Sequence, residues 1–193
     1  ALVENGFKNH GFFVEFGAGN GVRDSNTLLL EKEFGWDGIL CEPIESEFRE
    51  LQKNRNVKLQ NIAVWKKNGK VDFLVAKRSG LSTIQGFESS DNHLTSRLRG
   101  SELVKVDAMT LDEVLIHSNA PQAIDYLSID TEGSEFEILS SFDFQKWVVK
   151  VITVEHNFSE SREKIRTLLE SKGYRNVRTD TSLYDDWYVL EVK

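Results

Sequence analysis

Residues 12–21 read Phe-Phe-Val-Glu-Phe-Gly-Ala-Gly-Asn-Gly, an apolar run carrying one acid and closing in three glycines at alternate positions. Such a run describes a buried strand that turns sharply and leaves bare backbone to meet a ligand. A second apolar run, Gly38-Ile-Leu-Cys41, ends in Glu42. A glycine-rich turn with an acid at the next strand end is how a doubly wound fold grips an adenosine. The backbone approaches the ligand, and the carboxylate takes the ribose hydroxyls.

The pattern continues outward from this pair. A strand over 12–16 leads to a helix over 26–34, with Asp24 or Ser25 as its N-cap and Gly35 just past its end. A strand over 38–41, a helix over 45–54 and a strand over 57–61 follow. Segments 63–65 and 70–76 flank Asn68-Gly69, a strong hairpin signal. Residues 77–102 are polar and aperiodic, and so long a loop is either functional or disordered. A strand over 103–107 then meets Thr110-Leu-Asp-Glu113, a capping box that opens a helix to about 117. Strands over 124–129 and 148–155 alternate with helices over 134–140 and 160–171, the latter ended by Gly173. Strands over 174–179 and 187–192 close the chain, the last one antiparallel. Alternation of this kind predicts an α/β fold, a mostly parallel sheet with helices on both faces.

Composition sets bounds. A chain of 193 residues suits a single domain with a sizeable core. No apolar stretch approaches the length of a membrane span, and no signal-peptide pattern is read near Ala1. The start without methionine leads us to expect a piece of a longer chain or a trimmed form. The net charge of −7, with basic residues scattered, argues against a nucleic-acid partner. Cys41 is the only cysteine, which excludes a disulfide framework and a thiolate zinc cluster. It reads as a small core residue, and a reducing, cytoplasmic setting is the expectation.

Four groups of residues carry the chemistry. Gly17, Gly19 and Gly21 have the Gly-x-Gly-x-Gly spacing common in S-adenosylmethionine sites; the dinucleotide pattern wants a glycine at 22, where Val22 stands. Glu15 either orients this loop, meets a ligand ammonium, or is an exposed strand-end acid. Asp130-Thr-Glu132-Gly-Ser-Glu135 follows a buried strand, where open sheets bind ligands; helix capping is the plainer account. Glu155-His156-Asn157 ends another buried strand. His93, in Ser90-Asp-Asn-His93, and Asp185-Asp-Trp-Tyr188 read more simply as loop and turn residues.

These segments together resemble FkbM-type methyltransferases over about residues 11–190. The matching parts are Phe12–Gly21 with Ser25-Asn26-Thr27, 30–36, Cys41-Glu-Pro43, 124–135, Glu155-His-Asn157 and Asp185-Asp-Trp-Tyr188. Asp-x-Glu-Gly-x-Glu is the most specific. The resemblance implies a Rossmann-like class I fold with a seven-stranded sheet, S-adenosylmethionine as cofactor, and O-methylation of a sugar or polyketide-type hydroxyl. By position it assigns Glu15, Gly17, Gly19, Asn20 and Gly21 to the methionine-side loop, with Ser25 and Asn26 at the start of the next helix. Glu42 takes the ribose, Asn61 and Ala63 neighbour the adenine, and Asp130 also faces the cofactor. One departure is the placing of Asn20, since relatives carry Gly-Ala-Asn-x-Gly.

A hydroxyl needs a base or a metal before it attacks. Asp130, Glu132 and His156 are the expected catalytic groups. The alternative is one Mg²⁺ or Mn²⁺ held by Asp130, Glu155 and His156. Residues 77–102 would close as a lid, with Arg78, Arg97 and Arg99 meeting an anionic acceptor or a diphosphate. The expected partner is a carbohydrate or similar hydroxyl compound. The competing classes are a nicotinamide-dependent oxidoreductase and a non-catalytic nucleotide-binding module.

Overall fold

Strand β1 (Phe12–Phe16) forms from the opening run, and all five of its side chains are buried. It can be apolar on both faces because parallel strands flank it on both sides, β2 (Asp37–Cys41) and β8 (Ala123–Ile129). The structure, a computed structural model, describes residues 1–78, 80–89, 93–179 and 183–191. Within them the main sheet has seven strands. Outward from β1 on one side lie β2 and β3 (Lys58–Gln60); on the other lie β8, β9 (Val148–Glu155), β11 (Asp185–Leu190) and β10 (Tyr174–Val177). Only β11 runs against its neighbours, as expected for the last strand. The strand order reverses between β1 and β8, so their carboxyl ends open a crevice there.

Side-chain alternation divides the helices between two faces. Phe13, Leu40, Tyr126 and Val151 point to one face, under Leu30 of α1 (Leu28–Phe34) and Leu51 of α2 (Glu45–Asn54). Val14, Ile39, Leu127, Ile152 and Val154 point to the other. There they pack on α4 (Leu111–His117), α5 (Glu135–Ser141) and α6 (Arg162–Ser171). Gly35 ends α1 in the left-handed region (φ 62°), and the Thr110 hydroxyl caps α4 through the Glu113 N–H, both as expected. Helix α1 begins later than expected, however. Its N-cap is Thr27, which makes no capping bond of its own, and neither Asp24 nor Ser25 takes the role. The hydroxyls of Ser25 and Thr27 are committed to Glu15 instead.

A second sheet of four strands was not legible in the sequence. Its order is β4 (Ala63–Val64), β7 (Glu102–Met109), β5 (Gly69–Val75) and β6 (Thr83–Ile84). The expected hairpin across Asn68-Gly69 does not form, because β7 lies between its two arms. Ala63 and Gly69 both pair with Ala108, from opposite sides. The Asn68 Oδ1 accepts the Thr110 N–H, tying the connection to the end of β7. Nor is 77–102 a featureless loop: its described residues contain β6, the short helix α3 (Leu94–Leu98) and a wholly buried Arg97. Asp91 and Asn92 lie outside the described residues, as does residue 192 of the expected final strand. Phe73, Ile84 and Ala108 of the small sheet share one apolar cluster with the core of the large one. No described helix is long and apolar enough to cross a membrane.

Candidate functional site

The turn after β1 lies directly on the end of β8. Gly17 has φ 79°, and a Cβ there would stand 1.8 Å from the Asp130 carbonyl oxygen, so no side chain is admissible. Asp130 in turn donates its N–H to Phe16 O. Gly19 differs: a Cβ built on it meets nothing within 4 Å, so its bare side faces open space. Its N–H donates to Glu42 Oε2 at 2.8 Å, while the Ile44 N–H donates to Oε1 at 2.8 Å. Burial still pushes the Glu42 carboxyl up to about 7. The strand-end acid and the glycine turn are thus joined before any ligand arrives.

Beside them opens a cavity of about 310 Å³, at the small end for organic ligands. Gly17, Gly19, Glu42, Ala63 and Asp130, all expected at the cofactor, line it together with Glu132. Phe73, Val75 and Ile84 of the small sheet supply an apolar wall, and Lys77 a cation. Cys41 lines it too, with its thiol pushed far up by burial.

The other expected cofactor residues work beneath the turn, outside the cavity wall. Glu15 is buried and accepts from the Ser25 hydroxyl, the Asn26 N–H and the Thr27 hydroxyl. Of its possible roles, loop orientation is the one its contacts serve. Asn26 Nδ2 donates to Ser128 Oγ. Asn20 Oδ1 accepts the N–H groups of Val22 and Arg23, and Asn61 Nδ2 donates to the carbonyls of Glu42 and Pro43. Gly21 is shaped by packing, since a Cβ would meet Leu51 and Arg55 at 2.4 and 2.6 Å. Arg55 was missed altogether. Wholly buried just past α2, it donates to Gly21 O, Ser25 Oγ and Thr27 Oγ1 and pairs with Glu31. A basic residue at a helix end reads as an ordinary complement to the helix dipole, which hid it.

Past the cavity stands a knot of acids. Carboxylate oxygens of Asp130, Glu132 and Glu155 all lie within 4.8 Å of one another. Burial raises the pKa of both Asp130 and Glu155; Asp130 and Glu132 add to the rise at Glu155, while the hydrogen bond from Glu155 pulls Asp130 back down, so the pair keeps a proton that isolated carboxyls would release. Glu132 sits at φ 58° and accepts from Arg97 Nη2 at 2.7 Å. Glu135 caps the turn instead, accepting from the Thr131 N–H and hydroxyl and the Gly133 N–H.

Two expectations are corrected here. His156 does not join Asp130. Strand alternation sends it to the opposite face from Glu155, where its Nε2 stands 3.9 Å from Asp186 Oδ1 and its Nδ1 accepts the Phe158 N–H. The group of close carboxylates beside Asp130 thus holds Glu132 and Glu155 and not His156. Arg97 does not reach outward to an anion: it donates to Leu81 O, Glu88 O and Glu132. His93 precedes α3, at its N-cap.

Comparison with known proteins converges. The family model for the FkbM methyltransferase domain matches residues 15–176. Methyltransferase 1 of Beauveria bassiana (strain ARSEF 2860) is 26% identical over 192 residues, covering 87% of this chain and 74% of that protein. The crystal structure of methyltransferase FkbM from Methylobacillus flagellatus KT superposes with a TM-score of 0.57 at 13% identity. It covers 95% of this chain, which spans only 44% of that protein's length. Precorrin-6y C5,15-methyltransferase from Geobacter metallireducens GS-15 gives a TM-score of 0.51 at 13% identity, covering 97% of this chain and 83% of that one. The last two likenesses bear on the fold.

Proposed function

The chain belongs to the FkbM family of S-adenosylmethionine-dependent methyltransferases, and on that footing we propose that it methylates a hydroxyl of a sugar or glycan. The observation behind this reading is that Asp130 belongs both to the cavity wall and to the three-carboxylate cluster. When bound in the cavity, the cofactor supplies a methyl group on a cationic sulfur. The bare backbone at Gly19 gives room for close approach, and Glu42 offers its oxygens to the ribose hydroxyls. An aliphatic hydroxyl attacks only as its proton is drawn away. Asp130 receives that proton, and Glu155 accepts or donates to a neighbouring hydroxyl according to its protonation. Arg97 fixes Glu132 as a third acceptor for the same substrate. A cluster of oxygens this close also suits Mg²⁺ or Mn²⁺, with Asp130, Glu132 and Glu155 as ligands. Acids on the rim and a net charge of −7 speak against a polynucleotide acceptor.

Calorimetry with S-adenosylhomocysteine and with NAD separates this reading from a nicotinamide enzyme. Glu42→Ala removes charge-assisted hydrogen bonds worth roughly 1.5–3 kcal/mol, so affinity for S-adenosylhomocysteine should fall about ten- to a hundredfold. Unchanged affinity would refute the assignment of Glu42. Mass spectrometry of a glycan panel after incubation with isotopically labelled cofactor tests the acceptor. A chelator arm, with Mg²⁺ or Mn²⁺ added back, decides between metal-assisted and metal-free transfer.

A further inference from the structure

Four acids line the cavity, Glu42, Glu47, Asp130 and Glu132, and among the described residues Lys77 is the one cation that does so. Strand alternation puts it there. Phe73 and Val75 of β5 face the cavity, and Lys77, two residues past the strand end, continues that face. Its stem lies along Gly100, where an added Cβ would meet Lys77 Cδ at 3.5 Å. Lys77 is exposed, and its ammonium makes no hydrogen bond or ion pair with the described residues. Ser82 closes the same turn and also lines the cavity. Its Oγ accepts the Ala76 N–H at 3.0 Å, which leaves the hydroxyl proton to donate.

The cofactor read into this cavity carries three charges at one end: a cationic sulfur, an ammonium and a carboxylate. The acids suit the first two and repel the third. Other donors to a carboxylate are already taken. In the glycine turn, the N–H groups of Ala18, Gly19 and Gly21 go to Cys41 O, Glu42 and Ala18 O. The Ser134 hydroxyl donates to Thr131, whose own hydroxyl donates to Glu135. Arg55 and Arg97 are buried and bound elsewhere. The first turn of α2 carries Glu45 and Glu47, so its N–H groups already face negative charge.

We propose that Lys77, together with the Ser82 hydroxyl, takes the carboxylate of the cofactor's methionine end; this rests on the methyl-transfer reading above. The site then selects the complete amino-acid end of the cofactor. An adenosyl compound without the carboxylate loses the cationic contact that the described cavity wall offers. Lys77 is thus a cofactor-binding residue and not an anchor for an anionic acceptor.

Calorimetry with S-adenosylhomocysteine, its decarboxylated form and methylthioadenosine tests this. The parent should bind S-adenosylhomocysteine about tenfold more tightly than the decarboxylated form, the low end for a charge-assisted hydrogen bond because Lys77 is open to water. Lys77→Met should erase that preference by weakening S-adenosylhomocysteine, Lys77→Arg should keep it, and Ser82→Ala should lower it in part. Methylthioadenosine lacks both the ammonium and the carboxylate and should bind the parent and both Lys77 variants alike. Added salt should narrow the preference in the parent. Lys77 is exposed, so the circular dichroism of its variants should match the parent. A parent without the preference, or a Lys77→Met variant that retains it or weakens all three ligands equally, overturns the assignment of Lys77. Unchanged affinity for S-adenosylhomocysteine in Lys77→Met, with a raised KM for the acceptor, overturns it in favour of an anionic acceptor. A parent that binds none of the three ligands overturns the cofactor reading itself, whereas binding that ignores Lys77 leaves that reading standing.

Discussion

Asp130 donates its N–H to Phe16, sets its carbonyl oxygen where Gly17 can carry no side chain, and presents its carboxyl to Glu155. Its pKa is raised chiefly by burial, the hydrogen bond with Glu155 opposing the rise and Glu135, Asp185 and Glu15 adding to it. As a base it must be ionised, so transfer should slow as pH falls through neutrality and rise above it. Stability has the opposite sign. A carboxyl held above its ordinary 3.8 contributes most below that pH and loses the contribution as pH climbs toward neutrality. Asp130→Asn should therefore cut turnover by roughly 10²–10⁴ while flattening the pH dependence of the melting temperature. Steady-state kinetics and melting curves from pH 4 to 8 check both halves. Near-normal turnover in this variant would displace the base to another residue.

A buried cation ties the described residues 81–89 to those of 93–98. Arg97 of α3 is wholly buried and reaches back to Leu81, Glu88 and Glu132. Removing one partner of a buried pair leaves the other charge stranded. Arg97→Met should cost about 3–5 kcal/mol in urea denaturation, and adding Glu132→Gln should return part of that loss. A cost under about 1 kcal/mol, the range of exposed pairs, would show that the pair is solvated in solution. Arg55 plays the matching part under the glycine turn, where it faces Glu31 directly and Glu15 at 4.0 Å.

For the whole molecule, the two sheets are joined through one apolar cluster in which Phe73, Ile84 and Ala108 pack with Val14, Ile39 and Ile129. Neither sheet can shed its partner without exposing core. They should accordingly melt together, with far-ultraviolet and near-ultraviolet dichroism giving coincident transitions. S-adenosylhomocysteine should raise that single midpoint as mass action requires. Two separated transitions would mean that the small sheet is a folding unit of its own.

The sequence by itself determined the strands and helices of the large sheet, because their signals are local: continuous apolar runs, helical periods, Gly35 past a helix end, and the capping box at Thr110. It also singled out Gly17, Gly19 and Glu42, which the fold brings together at the two strand ends, since strand ends followed by glycine or an acid carry their meaning in consecutive residues. The tertiary structure alone decided what depends on partners far along the chain. Asn68-Gly69 looked like a hairpin until β7, more than thirty residues later, came between its arms. Arg97 looked like a lid cation for an anionic acceptor until Glu132 was placed beside it. His156 and Glu155 are neighbours in sequence, yet the twofold alternation of a strand sends one to Asp186 and the other to Asp130. Adjacency in a strand separates side chains, and only the packed sheet shows which face holds the acids.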